Sequence, residues 1–351
     1  ITVHRLVQTV LRTQPPGADG LLPGRGEAER LVQLATDGDG PPIPPDVPWE
    51  RLLPHVLALL ESAPPDAPVS REAADSYYAA AQYLYRQGRD AHSIALREAE
   101  LSRCERDLGD THRSTLVSRI NLANSYRAAG DLDRAVPMLE SVLAQCEQIL
   151  GDTHPDTLVN RNNLGVARQA AGDLDRAIPL LEATLAQCEQ ILGDTHPDTL
   201  ASRNNLATAY QDTGDLDRAL PLYELTLTQR QQVLGDTHPD TLLCRNNLAN
   251  AYQNAGDLDR AIPLYELTLT QYEQVLGDTH PDTLLCRNNL ATAYEDAGDL
   301  DRAIPLYEVT LTQREQVLGD AHPDAVLSRT NLAAAREAQR RRPGAGGDAP
   351  S

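Results

Sequence analysis

A 42-residue register runs through most of this chain and restricts its fold more than any other property of the sequence. The block Gly-Asp-Thr-His-Pro-Asp-Thr-Leu begins at Gly151, Gly193, Gly235 and Gly277, with diverged copies at Gly109 and Gly319. A second block, Gly-Asp-Leu-Asp-Arg-Ala, begins at Gly130, Gly172, Gly214, Gly256 and Gly298. No insertion breaks either spacing. A fixed period of this size means a solenoid, in which each unit buries its apolar face only against its neighbours. Such an array grows in one dimension, so chain length does not set a number of compact domains.

Within one period, residues 235–276, two amphipathic helices are legible. Leu242, Leu248, Ala249 and Tyr252 share one face of a 3.6-residue period, which predicts a helix from about Pro239 to Ala255. Thr237-His-Pro-Asp marks its start with a capping hydroxyl, a first-turn proline and an acid. Gly256 stops it, because glycine accepts the left-handed conformation at a helix end. Asp257 then caps a second helix with Leu258, Ala261, Ile262, Tyr265, Leu269, Tyr272 and Leu276 on its buried side. Pro263 and its equivalents Pro137, Pro179, Pro221 and Pro305 each remove one backbone hydrogen bond and are expected to bend that helix. Ala177, Ala219, Ala261 and Ala303 are expected where the paired helices approach most closely.

The Leu-Ala-x-Ala-Tyr run, the Gly-Asp-Leu-Asp-Arg-Ala turn and the aromatic four residues after its alanine resemble the tetratricopeptide repeat. The 42-residue length, with Asn-Asn-Leu-Ala and Leu-Gly-Asp-x-His-Pro-Asp, is similar to the kinesin-light-chain type of that repeat. The resemblance implies an all-α, right-handed superhelical solenoid of antiparallel helix pairs. It covers about residues 71–340, as six helix pairs and a closing helix from about Pro323 to Arg340. The pair from Tyr77 to Leu108 is worn: Gly88 keeps register, but its turn reads Arg-Gln-Gly-Arg-Asp-Ala.

Residues 1–70 differ in composition. Short helices are expected at Gly26–Thr36 and Trp49–Ser62, separated by Pro41-Pro-Ile-Pro-Pro. Val3-His-Arg-Leu-Val-Gln-Thr-Val-Leu-Arg, with Trp49-Glu-Arg-Leu-Leu-Pro-His-Val-Leu, resembles the junction between the winged-helix end of bacterial NB-ARC (STAND) NTPases and their repeats. That resemblance implies a sensor array attached to a nucleotide switch, and the sequence itself holds no nucleotide-binding core. The tail 341–351 is expected to be disordered.

Composition excludes several function classes. The net charge of -20 argues against a phosphate-tracking groove and against docking on anionic lipid, so neither nucleic acid nor a membrane is expected as partner. The chain has no lysine, which removes the P-loop signature, a Schiff-base lysine and a kinase-type phosphate lysine. The start Ile1-Thr-Val-His-Arg-Leu-Val lacks the apolar run of a signal peptide, and no apolar run long enough to span a bilayer occurs, so neither a secretory leader nor a membrane span is expected within these residues. Cys104, Cys146 and Cys188 are 42 apart, as are Cys244 and Cys286. Equivalent residues of stacked helices lie about 10 Å apart, beyond the roughly 7 Å a disulfide tolerates. They read as small buried or half-buried residues of a reducing, cytoplasmic protein.

The same register weakens each apparent catalytic or metal set. The histidines at 112, 154, 196, 238, 280 and 322 stand one repeat apart, whereas metal ligands must converge on one ion. The Asp215/Asp217 and Asp257/Asp259 pairs precede helices without the loop an EF-hand needs, so capping explains them. No Gly-x-Ser-x-Gly elbow occurs. No catalytic residue, metal or cofactor is therefore expected.

The candidate binding residues are polar positions of the first helices: Asn162, Asn204, Asn246 and Asn288, then Asn124, Thr208, Asn250 and Thr292, then Gln211 and Gln253. In the tetratricopeptide-repeat resemblance these helices line a concave groove, and amides offer donors and acceptors to an extended peptide. The adjacent Asn163, Asn205, Asn247 and Asn289 are expected to bond between helices instead. Arg161, Arg203, Arg245 and Arg287 are expected to bury their stems between repeats and pair with acids. The expected partner is a protein or peptide.

Overall fold

The computed structural model describes residues 49–61, 71–86 and 89–341. The expectations for Gly26–Thr36, for the winged-helix-like stretch before Trp49 and for the tail beyond residue 341 lie outside the described residues. Among the described residues there are fourteen helices and no strand. They fall in two compact units, Ile1–Asp173 and Leu174–Ser351.

The first unit contains α1 (Trp49–Glu61), α2 (Arg71–Arg86), α3 (Asp90–Leu108), α4 (Arg113–Ala128), α5 (Leu132–Leu150) and α6 (Pro155–Ala170). Within this unit each helix packs on the next. Helix α1 lies where a helix is expected, and buries Leu52, Leu53, Val56 and Leu59. It shares its core cluster with Tyr77, Ala80, Ala81 and Leu84 of α2.

The second unit contains α7 (Leu174–Ile191), α8 (Pro197–Asp212), α9 (Leu216–Leu234), α10 (Pro239–Asn254), α11 (Leu258–Val275), α12 (Pro281–Asp296), α13 (Leu300–Leu318) and the closing α14 (Pro323–Arg341). Successive helices pack side by side, and one core cluster runs from Leu181 to Ala335. The first helices α8, α10 and α12 also pack on one another, as α4 packs on α6 in the first unit. This is the fold of a tetratricopeptide-type solenoid, all-α and built from antiparallel helix pairs.

The turn inside each pair shows why the sequence folds this way. Gly256 adopts φ 76, closed to residues with a Cβ except at a cost. Its N–H bonds Gln253 O at 2.9 Å and the Asp257 N–H bonds Tyr252 O at 2.9 Å, so the last carbonyls of α10 are satisfied. The Asp257 carboxylate accepts from the Arg260 N–H at 3.1 Å and so begins α11. One residue thus ends one helix and starts the next. The worn turn of the first pair has Arg89 at this position, and α3 begins without a side-chain cap.

The other turn corrects an expectation. The cap of α10 is not the Thr237 hydroxyl but the His238 imidazole, whose Nδ1 accepts from the Asp240 N–H at 3.2 Å. His112, His154, His196, His280 and His322 do the same at 3.1–3.2 Å. An imidazole nitrogen acts here as the side-chain acceptor that a serine or aspartate usually supplies.

Ala177, Ala219, Ala261 and Ala303 have no exposed surface, with the large Tyr223, Tyr265 and Tyr307 one turn on. Substituting Ala219→Leu overpacks this contact and is expected to cost about 1–3 kcal/mol. Thermal unfolding checks it: an unchanged melting temperature would remove Ala219 from the close approach.

Candidate functional site

The amide row is present but sits deeper than expected. Asn204, Asn246 and Asn288 are only 6%, 3% and 8% exposed, so they do not stand open to a ligand. The neighbouring row is the one that reaches outward, and it bonds back to them. Asn247 Nδ2 donates to Asn204 Oδ1 at 3.4 Å, Asn289 to Asn246 at 3.5 Å and Asn331 to Asn288 at 3.4 Å. This ladder joins consecutive first helices. Asn162 and Asn124 are half-buried on α6 and α4 of the other unit.

One helical turn further, the candidate residues meet buried phenols. The Thr208 hydroxyl lies 2.8 Å from the Tyr223 hydroxyl, which donates to Gln211 Oε1 at 3.0 Å. Tyr265 donates to Asn250 Oδ1 and lies 2.9 Å from Gln253 Oε1. Tyr307 joins Thr292 at 2.9 Å and Glu295 at 2.9 Å. The tyrosine rings are buried while the first-helix partners are half-buried, so each phenol braces two polar groups at the edge of the layer. Desolvation raises Tyr223 and Tyr265 well above the ordinary phenol range, keeping them protonated donors. The structure therefore brings Thr208 with Gln211, Asn250 with Gln253, and Thr292 with Glu295. Sequence reading did not find the phenol between them, although its fixed offset from each pair was readable.

The arginine row behaves as expected. Arg203 is 2% exposed and donates to Glu189 at 2.7 Å on the preceding second helix and to Gln229 at 2.5 Å on the following one. Arg161 pairs with Glu147 at 2.8 Å, and Arg287 with Glu273 at 2.8 Å and with Gln313. Arg245 reaches Gln271, with Asp236 at 3.6 Å.

A further joint was not anticipated. Tyr126 donates to Glu98 at 2.6 Å, and Tyr210, Tyr252 and Tyr294 donate to Glu182, Glu224 and Glu266. Over each ring, 4.1 Å from its centroid, lies the guanidinium of Arg134, Arg218, Arg260 or Arg302. That arginine also holds the capping aspartate: Arg218 Nε lies 2.5 Å from Asp215. Where the tyrosine is replaced by Arg168 or Arg336, the guanidinium still meets the equivalent acid, Glu140 at 2.8 Å or Glu308 at 2.6 Å. The acceptor is constant and the donor varies.

Titration shifts follow from these contacts. Burial, then the bonded glutamates, push Tyr126, Tyr210 and Tyr294 up to about 12. Burial pushes the Cys244 thiol to about 11 and Cys286 to about 12, which makes them poor nucleophiles. All five cysteines are buried and free. Asp257 lies below the usual carboxylate range because Arg260 bonds it. Among the described residues no group of three or more His, Cys, Asp or Glu side chains could hold a metal ion.

Comparison with known proteins agrees with this geometry. The model of the family described as tetratricopeptide repeat matches residues 72–148, 120–182, 157–228, 203–274 and 245–316. The chain belongs to the tetratricopeptide-repeat family. Among solved structures, this tetratricopeptide-repeat chain is similar to a Podosopora anserina kinesin light chain with nearly identical TPR-like repeats. That match has 33% identity over 58% of this chain and 97% of that one, with a TM-score of 0.49. BtubC (BKLC) from P. vanneervenii shares the fold at 22% identity, TM-score 0.50, covering 68% of this chain and 94% of that one. A Rap protein complexed with Competence and Sporulation Factor shares it at 12% identity, TM-score 0.57, covering 97% and 98%. No curated protein matches the sequence. No described helix is long and apolar enough to cross a membrane.

The phenol shifts give this repeat array a pH signature. The folded chain holds these protons more tightly than an unfolded one, whose tyrosines titrate near 10. Between about pH 10 and 12 the folded state binds more protons, so its stability falls as pH rises through that window. The thiols act in the same direction. Melting temperature is expected to decline across that range, and less steeply when Tyr126, Tyr210, Tyr252 and Tyr294 are changed to Phe. A flat profile, or the same slope in the variant, would contradict the bonded-phenol account.

Proposed function

We propose that the chain is a non-catalytic scaffold that binds a protein or extended peptide along the first helices of its repeats. The observation that carries this reading is the half-buried polar edge of the first-helix layer. Asn205, Asn247 and Asn289, then Thr208, Asn250 and Thr292, then Gln211, Gln253 and Glu295 present amide and hydroxyl groups in register along α8, α10 and α12. First helices pack on first helices, which supports reading this layer as the inner side of the stack. Extended peptides carry one donor and one acceptor per residue, and an amide row matches that pattern. The Rap protein of the same fold is complexed with Competence and Sporulation Factor, which supports a binding role for a chain of this fold.

The half-buried Asn205, Asn247 and Asn289 thereby replace the buried Asn204, Asn246 and Asn288 as the amides that meet a ligand directly, with the inner row holding them. Copies disagree where this edge lies, at Val166/Thr208/Asn250/Thr292 and at Ala170/Asp212/Asn254/Asp296. A cytoplasmic adaptor of the kinesin-light-chain kind is the setting that the repeat type favours. The resemblance of residues 3–12 and 49–57 to a STAND junction favours a second setting, the ligand sensor of a bacterial nucleotide switch. A nucleotide-binding domain in the same reading frame ahead of Ile1 decides for the second; a reading frame without one decides for the first.

The binding reading is tested with a 12-residue peptide selected from a display library against the purified chain. Changing Asn247, Gln211 and Gln253 together to Ala is expected to weaken that peptide at least tenfold with helicity kept, alongside a lower melting temperature from the lost ladder and phenol bonds, so binding is measured well below the variant's unfolding transition. Affinity unaltered by the triple change would place the ligand elsewhere.

A further inference from the structure

The second helices of the later repeats carry exposed aliphatic side chains that the fold does not require. One register position holds Ser141 on α5, Ala183 on α7, Leu225 on α9, Leu267 on α11 and Val309 on α13. All five are exposed, and the three large ones are 46%, 48% and 46% exposed. Serine and alanine occupy the same place in the earlier copies, so packing between helices makes no demand for bulk there. One turn on, Ala144 and Ala186 give way to Thr228, Thr270 and Thr312, again toward larger side chains. A single exposed leucine is ordinary on a protein surface, whereas a row of them on successive helices marks a contact surface.

These positions form uncharged lines. Pro221, Leu225, Thr228 and Gln232 follow one another at intervals of four, three and four residues, so they share one exposed line along α9. Helices α11 and α13 repeat the line around Leu267 and Val309. The Thr228, Thr270 and Thr312 hydroxyls donate to the carbonyls of Glu224, Glu266 and Glu308 at 2.9 Å, so their own helices take them up. The acids alongside are engaged as well. Glu224 and Glu266 accept from Tyr252 and Tyr294, and Glu308 accepts from Arg336 at 2.6 Å. Glu273 and Glu315 accept from Arg287 and Arg329 at 2.8 and 2.5 Å. Three neutral lines on successive second helices of one unit thus stand on a chain of net charge -20.

We propose that the outer lines of α9, α11 and α13 are a self-association surface on which a second copy of this chain docks about a two-fold axis at α11. Leu267 then meets the second copy's Leu267, and Leu225 meets the second copy's Val309. A two-fold contact uses the same patch on both molecules, so the patch must complement itself. Aliphatic side chains do so, and the exposed Gln232, Gln274 and Gln316 amides carry both a donor and an acceptor for their like. Charge selects the same partner. Two bodies of net charge -20 repel, and a neutral contact leaves their acids in solvent, where salt screens them. A basic partner would find every acid beside these lines already engaged. The surface lies on second helices and does not depend on the amide edge of α8, α10 and α12.

The test is sedimentation equilibrium of the full chain, from about 1 µM to 1 mM protein, at salt from about 0.05 to 0.5 M. A reversible monomer–dimer equilibrium is expected, and it tightens at least threefold as salt rises, because screening removes repulsion while apolar burial remains. Changing Leu225, Leu267 and Val309 together to Ala installs the residue that Ala183 shows the fold accepts. This variant is expected to associate at least tenfold more weakly. Its helicity, and its melting temperature at a dilution where the parent chain is monomeric, stay the same. Leu267→Cys places a thiol at the axis, while the five native cysteines are buried. Mild oxidation is expected to yield a covalent dimer of Leu267→Cys and not of Ser141→Cys. The proposal is overturned if the parent chain stays monomeric throughout, if association weakens as salt rises, or if the triple variant associates as tightly as the parent. It is overturned equally if Leu267→Cys cross-links no more than Ser141→Cys.

Discussion

The Gly-Asp joint is the constraint on which the rest of the chain depends. At Gly256 and Asp257 the backbone closes α10 through two carbonyls, and the same aspartate opens α11 by capping Arg260. A three-residue turn leaves little freedom in how the paired helices emerge, so side chains at fixed offsets meet again in every unit. The arginine that is capped then folds over the tyrosine eight residues before it, as Arg260 does over Tyr252. That tyrosine reaches Glu224 on the preceding second helix, so the turn also ties neighbouring repeats together.

Near-identical repeats face a particular danger: a unit can dock on the wrong neighbour at little apolar penalty. The joints between units vary where the surfaces do not. Cys104 meets Ser118 at 3.6 Å, Arg314 meets Ser328 at 2.8 Å, and Tyr272 lies beside Cys286. Each pairs one side chain of a second helix with a small one on the next first helix, but with different bulk and polarity. Close-packed interiors register a difference of even one methylene, so such joints favour the correct neighbour.

Much of this architecture was legible because period, glycine and aspartate act locally. Helix ends at Pro239, Gly256 and Asp257 follow from backbone chemistry that one copy of the repeat already contains. The histidine cap was misassigned to Thr237 because hydroxyl and imidazole stand side by side, and only geometry shows which acceptor reaches the N–H of Asp240. The depth of Asn204 against Asn247 was not legible either. Adjacent residues on a helix differ by about 100° in direction, and which one faces inward depends on how the neighbouring first helix is set.

The scaffold is thus the repeated part, and the polar exceptions along the first helices are where we propose that it recognises another molecule. Hydrogen exchange of the second unit, with and without a library-selected peptide, tests that claim most directly. The account predicts slower exchange on the peptide's binding in α8, α10 and α12, with α9, α11 and α13 unchanged. Protection confined to the second helices, or to the Gly-Asp turns, would contradict it.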